Sequence, residues 1–594
     1  MELIDKIRNK VSKKEFMFIC LFSVMFVFNY FVFNQFDILL NNPAEFGVTT
    51  AEIIGVFILF SVIIIIVSIA GLTVLCSYSK RGFVYTLAAL LGLTLAGYAQ
   101  VLFMNEDVVR AVMPIEYLGK YILNTIVYLL IIAAPIGIVF FERKKKKGFT
   151  PRLALLITIV ILGMQLVGLM SVAASAPQAA KNNELYYFSV DEQLKLSKND
   201  NIIVFVMDMM DTRVTDVVFA QNPETKEIFD GFTYYTDNIS LYPKTFPSIT
   251  SMLTGKIFDG NTGNQIKYMQ DAWKDEILLS ALKDKDYIIN GLLESTTTFY
   301  DFDDLEGKFD NIKTMHRKNR IIKGAKFFNG MFSYGLMRQS PILLKPLTGY
   351  WKGQSSNSVE IKNTPDYYSC STSASADLKF YDKLVQNGLF VDPTEEKNVF
   401  SFVHLRASHS PYVYNEELKR TKSNVHSQTR GAFKILNEYF TQMKDPALDI
   451  YDNSTIIVLA DHGGVSTGEN DIKITHPPMT SLLVKESVKR DPKGKAGEPF
   501  RNPQEQPQLS HSNFVDTILE IIGDDDKKTV GSYNDVINGI TSNGVTTFEQ
   551  IKGVGIQTRE FYFVRYLNLG SSKFFCRYEI LGRASEIANW RRVD

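Results

Sequence analysis

The chain has 594 residues, 46% of them hydrophobic and 12% aromatic, with 64 basic and 64 acidic side chains. That length and apolar content suffice for more than one domain, and the charge balance removes the global electrostatic reason to expect nucleic acid as a partner. Four cysteines exclude a disulfide framework; at most Cys370 could pair with Cys576, free thiols being the alternative.

Apolar runs long enough to cross a bilayer occur at about 15–33, 52–76, 84–104, 119–141 and 153–173, each near the roughly 20 residues that a spanning helix needs. Residues 1–174 therefore read as a transmembrane domain. A cleaved signal peptide fits the first run poorly, because it is long, aromatic-rich and followed by further runs. Lys6, Arg8, Lys10, Lys13 and Lys14 precede the first run, Lys80 and Arg81 follow the second, and Arg143 to Lys147 with Arg152 follow the fourth, whereas the intervening loops offer little beyond Arg110. Basic residues mark the cytoplasmic side of short loops. The pattern predicts a multi-pass membrane protein, with the N-terminus cytoplasmic and everything after residue 174 extracytoplasmic.

Beyond Lys181 the texture becomes that of a soluble α/β domain. Residues 175–199 read as a linker, whose Leu185, Tyr186, Tyr187, Phe188 and Val190 suit either an amphipathic interfacial segment or a packed helix. Residues 200–526 read as the catalytic domain, and 527–594 as a C-terminal subdomain with strand-like aromatic runs at 560–566 and 574–581. Two continuous apolar runs, 201–207 and 454–460, have the character of parallel strands covered on both faces, and both end in acids. Ligands of open α/β sheets gather at the carboxyl ends of strands, so Asp208 and Asp461-His462 stand where a site is built.

Of the seven histidines, His404, His409, His462, His476 and His511 occupy special contexts, His476 the weakest of them, while His316 and His426 have no supporting neighbours. Asp461-His462-Gly463-Gly464 joins a carboxylate and an imidazole to glycines that let the backbone approach a ligand, a donor pair suited to zinc or manganese. An Asp-capped turn with an incidental histidine is the plainer alternative. Thr245 heads Thr245-Phe246-Pro247-Ser248 and a helix ending in Leu253-Thr254-Gly255. There its hydroxyl is either a nucleophile favoured by the helix N-terminus and a metal, or a cap. The run His404-Leu405-Arg406-Ala407-Ser408-His409 brings together two imidazoles and a guanidinium, which can protonate a leaving alkoxide, polarise a phosphoryl oxygen or ligate a metal. His511 follows Ser510 and leads an apolar helical stretch, facing a site from its N-terminus or lying at the surface behind a Ser cap.

The Thr245 segment resembles the nucleophile segment of the sulfatase superfamily. The His404 to Pro411 segment looks like that of bacterial phosphoethanolamine transferases, and 509–523 resembles the helix near the end of the superfamily's catalytic core. Together these motifs run through residues 200–523 in the order of the alkaline phosphatase and sulfatase superfamily. Five membrane helices ahead of an external domain is the layout of lipoteichoic acid synthases and phosphoethanolamine transferases. The resemblance implies a five-helix membrane domain plus an α/β sulfatase-like domain with a small C-terminal antiparallel sheet.

It further implies a metal-dependent phosphotransferase. Thr245 would attack the phosphodiester of a membrane phospholipid donor, release diacylglycerol, and pass phosphoglycerol or phosphoethanolamine to a cell-envelope glycan or lipid acceptor. Asp208, Thr245, Asp461 and His462, with His511 from its helix, would hold a divalent metal, Mn or Zn first and Mg or Ca as alternatives. His404, Arg406 and His409 would handle the phosphate and the proton. A membrane-anchored hydrolase or phosphodiesterase is the second reading and an inactive structural relative the third, with the oligomeric state unknown. Three departures qualify the resemblance: Asp208 stands where the transferases commonly carry Glu, Met209 breaks the Asp-Asp pair of many sulfatases and leaves Asp211 a poor substitute, and Thr245 cannot become formylglycine, which argues against sulfate ester hydrolysis.

Overall fold

The computed structural model describes residues 10–41, 46, 48–105, 118–145, 150–175, 184–258, 265–294, 297–348, 358–362, 366, 375–464, 476–540, 546–551 and 575–592. Contacts divide the chain into two compact units, one joining residues 1–182 to 320–362 and the other comprising 183–319 with most of the chain after 362.

In the first unit, five helices are long and apolar enough to cross a membrane: Lys13–Leu40, Thr50–Tyr78, Lys80–Met104, Leu118–Glu142 and Ala154–Ser171. Each expected run is helical. Capping boxes of Ser12 with Glu15 and Thr49 with Glu52 start the first two. The first helix passes the expected end at residue 33 through a π turn at Phe28–Phe33. Beyond it the Asn34 and Gln35 side-chain amides donate to the carbonyls of Asn29 and Tyr30, at 3.0 and 2.7 Å, so these polar residues continue the helix rather than stop it. Residues 320–362, within the span read as catalytic, belong to this unit. Their helix Gly324–Gln339 buries Phe327, Phe328 and Met331 against Phe36, Ile53 and Phe57. Gly335 lies close to the Gln35 side chain there, and a Cβ would come within 2.6 Å of its Nε2, so that amide would have to move.

The second unit is built on a seven-stranded sheet. Its strands are β1 (Asn201–Met207), β2 (Thr233–Ile239), β3 (Tyr287–Leu292), β4 (Asn398–Leu405), β5 (Ser454–Leu459), β6 (Met479–Lys485) and β7 (Leu509–Ser510). Their spatial order is β7-β2-β6-β5-β1-β4-β3. β5, β1, β4 and β3 run parallel, whereas β6 is antiparallel to both its neighbours. Every residue of β1 and β5 is buried, as their unbroken apolar sequences require of central parallel strands.

The linker segment read as interfacial or helical is instead a strand, Glu184–Phe188, antiparallel to Ile312–His316. Its aromatic run suits a pleated surface, and Phe188 packs into the core beside Phe299 and Phe309. At the C-terminus Thr546–Ile551, Phe575–Ile580 and Trp590–Arg592 form an antiparallel sheet that includes most of the expected run 574–581. The run 560–566 and Cys370 lie outside the described residues. Cys20 and Cys76 are free.

Candidate active site

The carboxyl ends of four adjacent parallel strands supply the site. Asp208 directly follows β1, His404 ends β4 with Arg406 just beyond, Asp461 follows β5, and Glu294 lies past β3. Backbone hydrogen bonds splice the loops together: Asp208 N–H donates to Leu405 O at 2.8 Å, and Ser408 N–H to Asp208 O at 3.2 Å. Met209 and Ala407, in these two loops, have φ of 61° and 31°, left-handed conformations that non-glycine residues adopt at a cost and that cluster at functional sites.

Asp208, His404 and Asp461 are buried and each offers a ligand atom within 4.8 Å of the others. Both oxygens of Asp208, Oδ2 of Asp461 and Nε2 of His404 lack a hydrogen-bond partner. His462 Nε2 lies 3.7 Å from Asp208 Oδ1 and 3.6 Å from Asp461 Oδ2. Its Nδ1 lies 3.0 Å from the Gly463 carbonyl, an acceptor only, so the ring proton is on Nδ1 and the Nε2 lone pair faces the carboxylates. Carboxylates and lone pairs facing one another without donors are mutually repulsive. A divalent cation removes that repulsion, and the mixed oxygen and nitrogen donor set suits Zn or Mn. The residues present therefore fit a metal.

The electrostatics agree. Burial and the Asp461 charge push Asp208 well above the usual carboxylate range, against the pull of Arg406. Asp461 is also raised by burial, but His462, His404 and the Met209 amide outweigh that and hold it down to about 2. Its Oδ1 accepts from Met209 N–H at 3.0 Å and His462 N–H at 2.8 Å. The two buried carboxyls are thus pushed in opposite directions, Asp208 up and Asp461 down. Burial also lowers His404 and His462 from the ordinary imidazole range, against the pull of Asp461.

Thr245 is buried next to this group. Its side chain reaches the Asp461 carboxylate and favours its charged form, without the geometry of a full hydrogen bond. The expectation that its hydroxyl opens a helix is adjusted, because Phe246 is extended (φ −87°, ψ 131°) and the regular turns begin with Pro247. Arg406 Nη1 lies 2.9 Å from Asp208 Oδ2 and Nη2 lies 2.8 Å from His409 Nδ1. The same Nδ1 also meets the Ser410 carbonyl, and burial with the Arg406 charge lowers His409 to about 3. His511 is buried under the influence of Asp461 and His462, with its Nε2 3.5 Å from Thr480 Oγ1, and it is not among the three converging ligands. Asp211 caps the helix Thr212–Gln221 and pairs with Arg213 at 2.9 Å, a structural role. Gly463 makes room for the chain itself, since a Cβ would lie 2.4 Å from Pro478 O. His476 and His316 are exposed.

Three further residues complete the site without having been singled out by sequence. Glu294 Oε2 lies 3.7 Å from Arg406 Nη1. Lys244, lowered by burial, feels both Asp208 and Asp461 and immediately precedes Thr245. Asp377 accepts from the backbone N–H groups of Arg406 and Ala407, both at 2.9 Å, and from Tyr414 O–H at 2.8 Å, which fixes the loop carrying Arg406.

No family model matches the chain, and no curated protein matches its sequence. Among solved structures it is similar to an alkaline phosphatase superfamily protein from Vibrio parahaemolyticus, at 14% identity over 69% of this chain and 85% of that one, with a TM-score of 0.32. It is also similar to a Pseudoalteromonas sulfatase, at 12% identity over 67% and 82% with a TM-score of 0.36. A third is the soluble domain of lipooligosaccharide phosphoethanolamine transferase A from Neisseria meningitidis, at 13% identity over 57% and 93% with a TM-score of 0.30.

Proposed function

We propose that the chain is a membrane-anchored phosphotransferase that moves a phospholipid headgroup, phosphoglycerol or phosphoethanolamine, through a phospho-threonine at Thr245 to a hydroxyl of a cell-envelope glycan or lipid. The observation that carries this reading is the convergence of buried Asp208, Asp461 and His404, each with a ligand atom that accepts no hydrogen bond, beside the buried Thr245. Five candidate membrane spans in the same chain support a lipid donor, which a membrane-anchored enzyme meets at raised effective concentration. The loop charges favour an extracytoplasmic catalytic unit.

Asp208, Asp461, His404 and His462 would hold a divalent metal, which when bound supplies Lewis acidity toward the phosphate and the threonine hydroxyl. Thr245 Oγ1 forms the new bond to phosphorus while the bond from phosphorus to the diacylglycerol oxygen breaks. The proton that Thr245 releases ends on the departing diacylglycerol oxygen, and Arg406 neutralises phosphoryl charge. In the second half the acceptor hydroxyl attacks the same phosphorus and Thr245 recovers its proton. Mass spectrometry of the full chain, given Mn²⁺ or Zn²⁺ and mixed phospholipids, tests this. A headgroup adduct on Thr245 with diacylglycerol release supports it and names the donor. Metal-loaded protein that forms neither overturns it and leaves a hydrolase of another ester.

A further inference from the structure

The helical unit contains a cavity of about 850 Å³ between its first, third, fourth and fifth long helices. Its walls are apolar, with Phe18, Phe22, Phe83, Leu87, Pro135 and Ile138 among them. The polar exceptions are Lys14, Glu15 and Lys80, where the first and third helices begin. The volume lies in the upper part of the ~300–1,000 Å³ range of ligand sites. Two residues shape the helices around this cavity. Gly92 presses against the backbone of Ile132, so close that a Cβ would lie 2.5 Å from its carbonyl oxygen. One turn further along, Pro135 removes the N–H that would bond the carbonyl of Ile131, another wall residue.

The charges at the mouth do not cancel. Glu15 is engaged twice, accepting from Ser12 in the capping box and pairing with Lys80 at 2.5 Å. Lys14 remains as an exposed cation with no carboxylate partner among the described residues, and Lys10, Lys13 and Arg81 are exposed nearby in sequence. Apolar walls below a net positive rim complement one class of molecule, an anionic amphiphile. Basic pockets between membrane helices hold lipids of this kind.

We infer that this cavity is a binding site for an anionic phospholipid of the surrounding membrane, its acyl chains lying between Phe22, Leu87 and Ile138 and its phosphate at Lys14 and Lys80. The site is built entirely from the helical unit and is separate from the residues around Thr245.

The test uses the full chain in nanodiscs containing a trace of phosphatidylglycerol or phosphatidylcholine carrying a photoreactive group in the acyl chain, with crosslinked peptides mapped by mass spectrometry. Crosslinks to the peptides around Leu87 and Ile138 are expected at least fivefold more often with phosphatidylglycerol. The double variant K14Q/K80Q, altered only at exposed side chains, is expected to abolish that preference, and A134F, which fills the cavity, to abolish the crosslinks with either lipid. Mapping keeps this result separate from donor binding near Thr245. Equal labelling by the two lipids, or a preference that survives K14Q/K80Q in protein eluting normally, overturns the assignment.

Discussion

The two units bury charge in opposite ways. In the helical unit Arg338 pairs with Asp37, Arg320 with Glu52 at 2.5 Å, and the buried Lys345 donates to Asn105 Oδ1 and Met337 O at 3.0 and 2.9 Å. At the strand ends of the second unit Asp208 keeps one ion pair, with Arg406 at 2.9 Å, but Asp208 Oδ1, Asp461 Oδ2 and His404 Nε2 are equally buried and accept no hydrogen bond. A charge closed off by its own partner is holding structure together, because breaking such a pair leaves an uncompensated charge behind. A charge left open is waiting for something from outside the chain. The difference separates residues that fix the fold from residues that act, without recourse to any relative.

The largest effect that would sharpen this contrast is at Thr245. Thr245→Ala is expected to lower headgroup transfer, read as diacylglycerol release, by more than about 10³-fold. Since the threonine hydroxyl is only one oxygen of the site, the variant should still fold with an unchanged melting profile. Arg338→Met tests the other unit. It should remove the guanidinium that pairs with Asp37 and cost about 3–5 kcal/mol of stability in differential scanning fluorimetry, while the companion change Asp37→Leu restores most of the loss. If Arg338→Met proved neutral, the claim that the helical unit uses its ion pairs as structure would fail.

The acids at the ends of β1 and β5 were legible in sequence because a central parallel strand is continuously apolar, so the first carboxylate after it stands out. Glu294 obeys the same rule after β3, but Asn290 and Gly291 interrupt that run and hide it. Asp377 left no local signal at all, since its role depends on loop amides at 406 and 407 that only the folded chain brings near. The same holds for residues 320–362, whose partners in the first helix are 301 residues away in the case of Arg338 and Asp37. Local pattern reports burial and strand ends well, whereas partners distant in sequence have to be supplied by the fold.

Metal addition tests the open charges directly. At about 100 times its dissociation constant, Mn²⁺ or Zn²⁺ should stabilise the catalytic unit by about 2.7 kcal/mol. The shift should vanish with a chelator and in Asp208→Asn. A metal-independent melting temperature in wild-type protein would mean that the facing carboxylates and imidazoles are not a ligand set.

The smallest effect concerns Asp377, which touches the site only through the loop it holds. Its two oxygens take three donors, so Asp377→Asn turns an NH₂ group toward at least one N–H or O–H and loosens the turn at Ala407. Arg406 would then lose its fixed approach to Asp208 and His409, because its backbone position is set by that amide bond. We expect turnover to fall about 10- to 100-fold with bound metal, measured by elemental analysis, unchanged. Tyr414→Phe, which removes one of the three donors, should cost less than Asp377→Asn in the same assay. Reversal of that order, or loss of metal in Asp377→Asn, would place Asp377 in the ligand set itself rather than behind the arginine that approaches it.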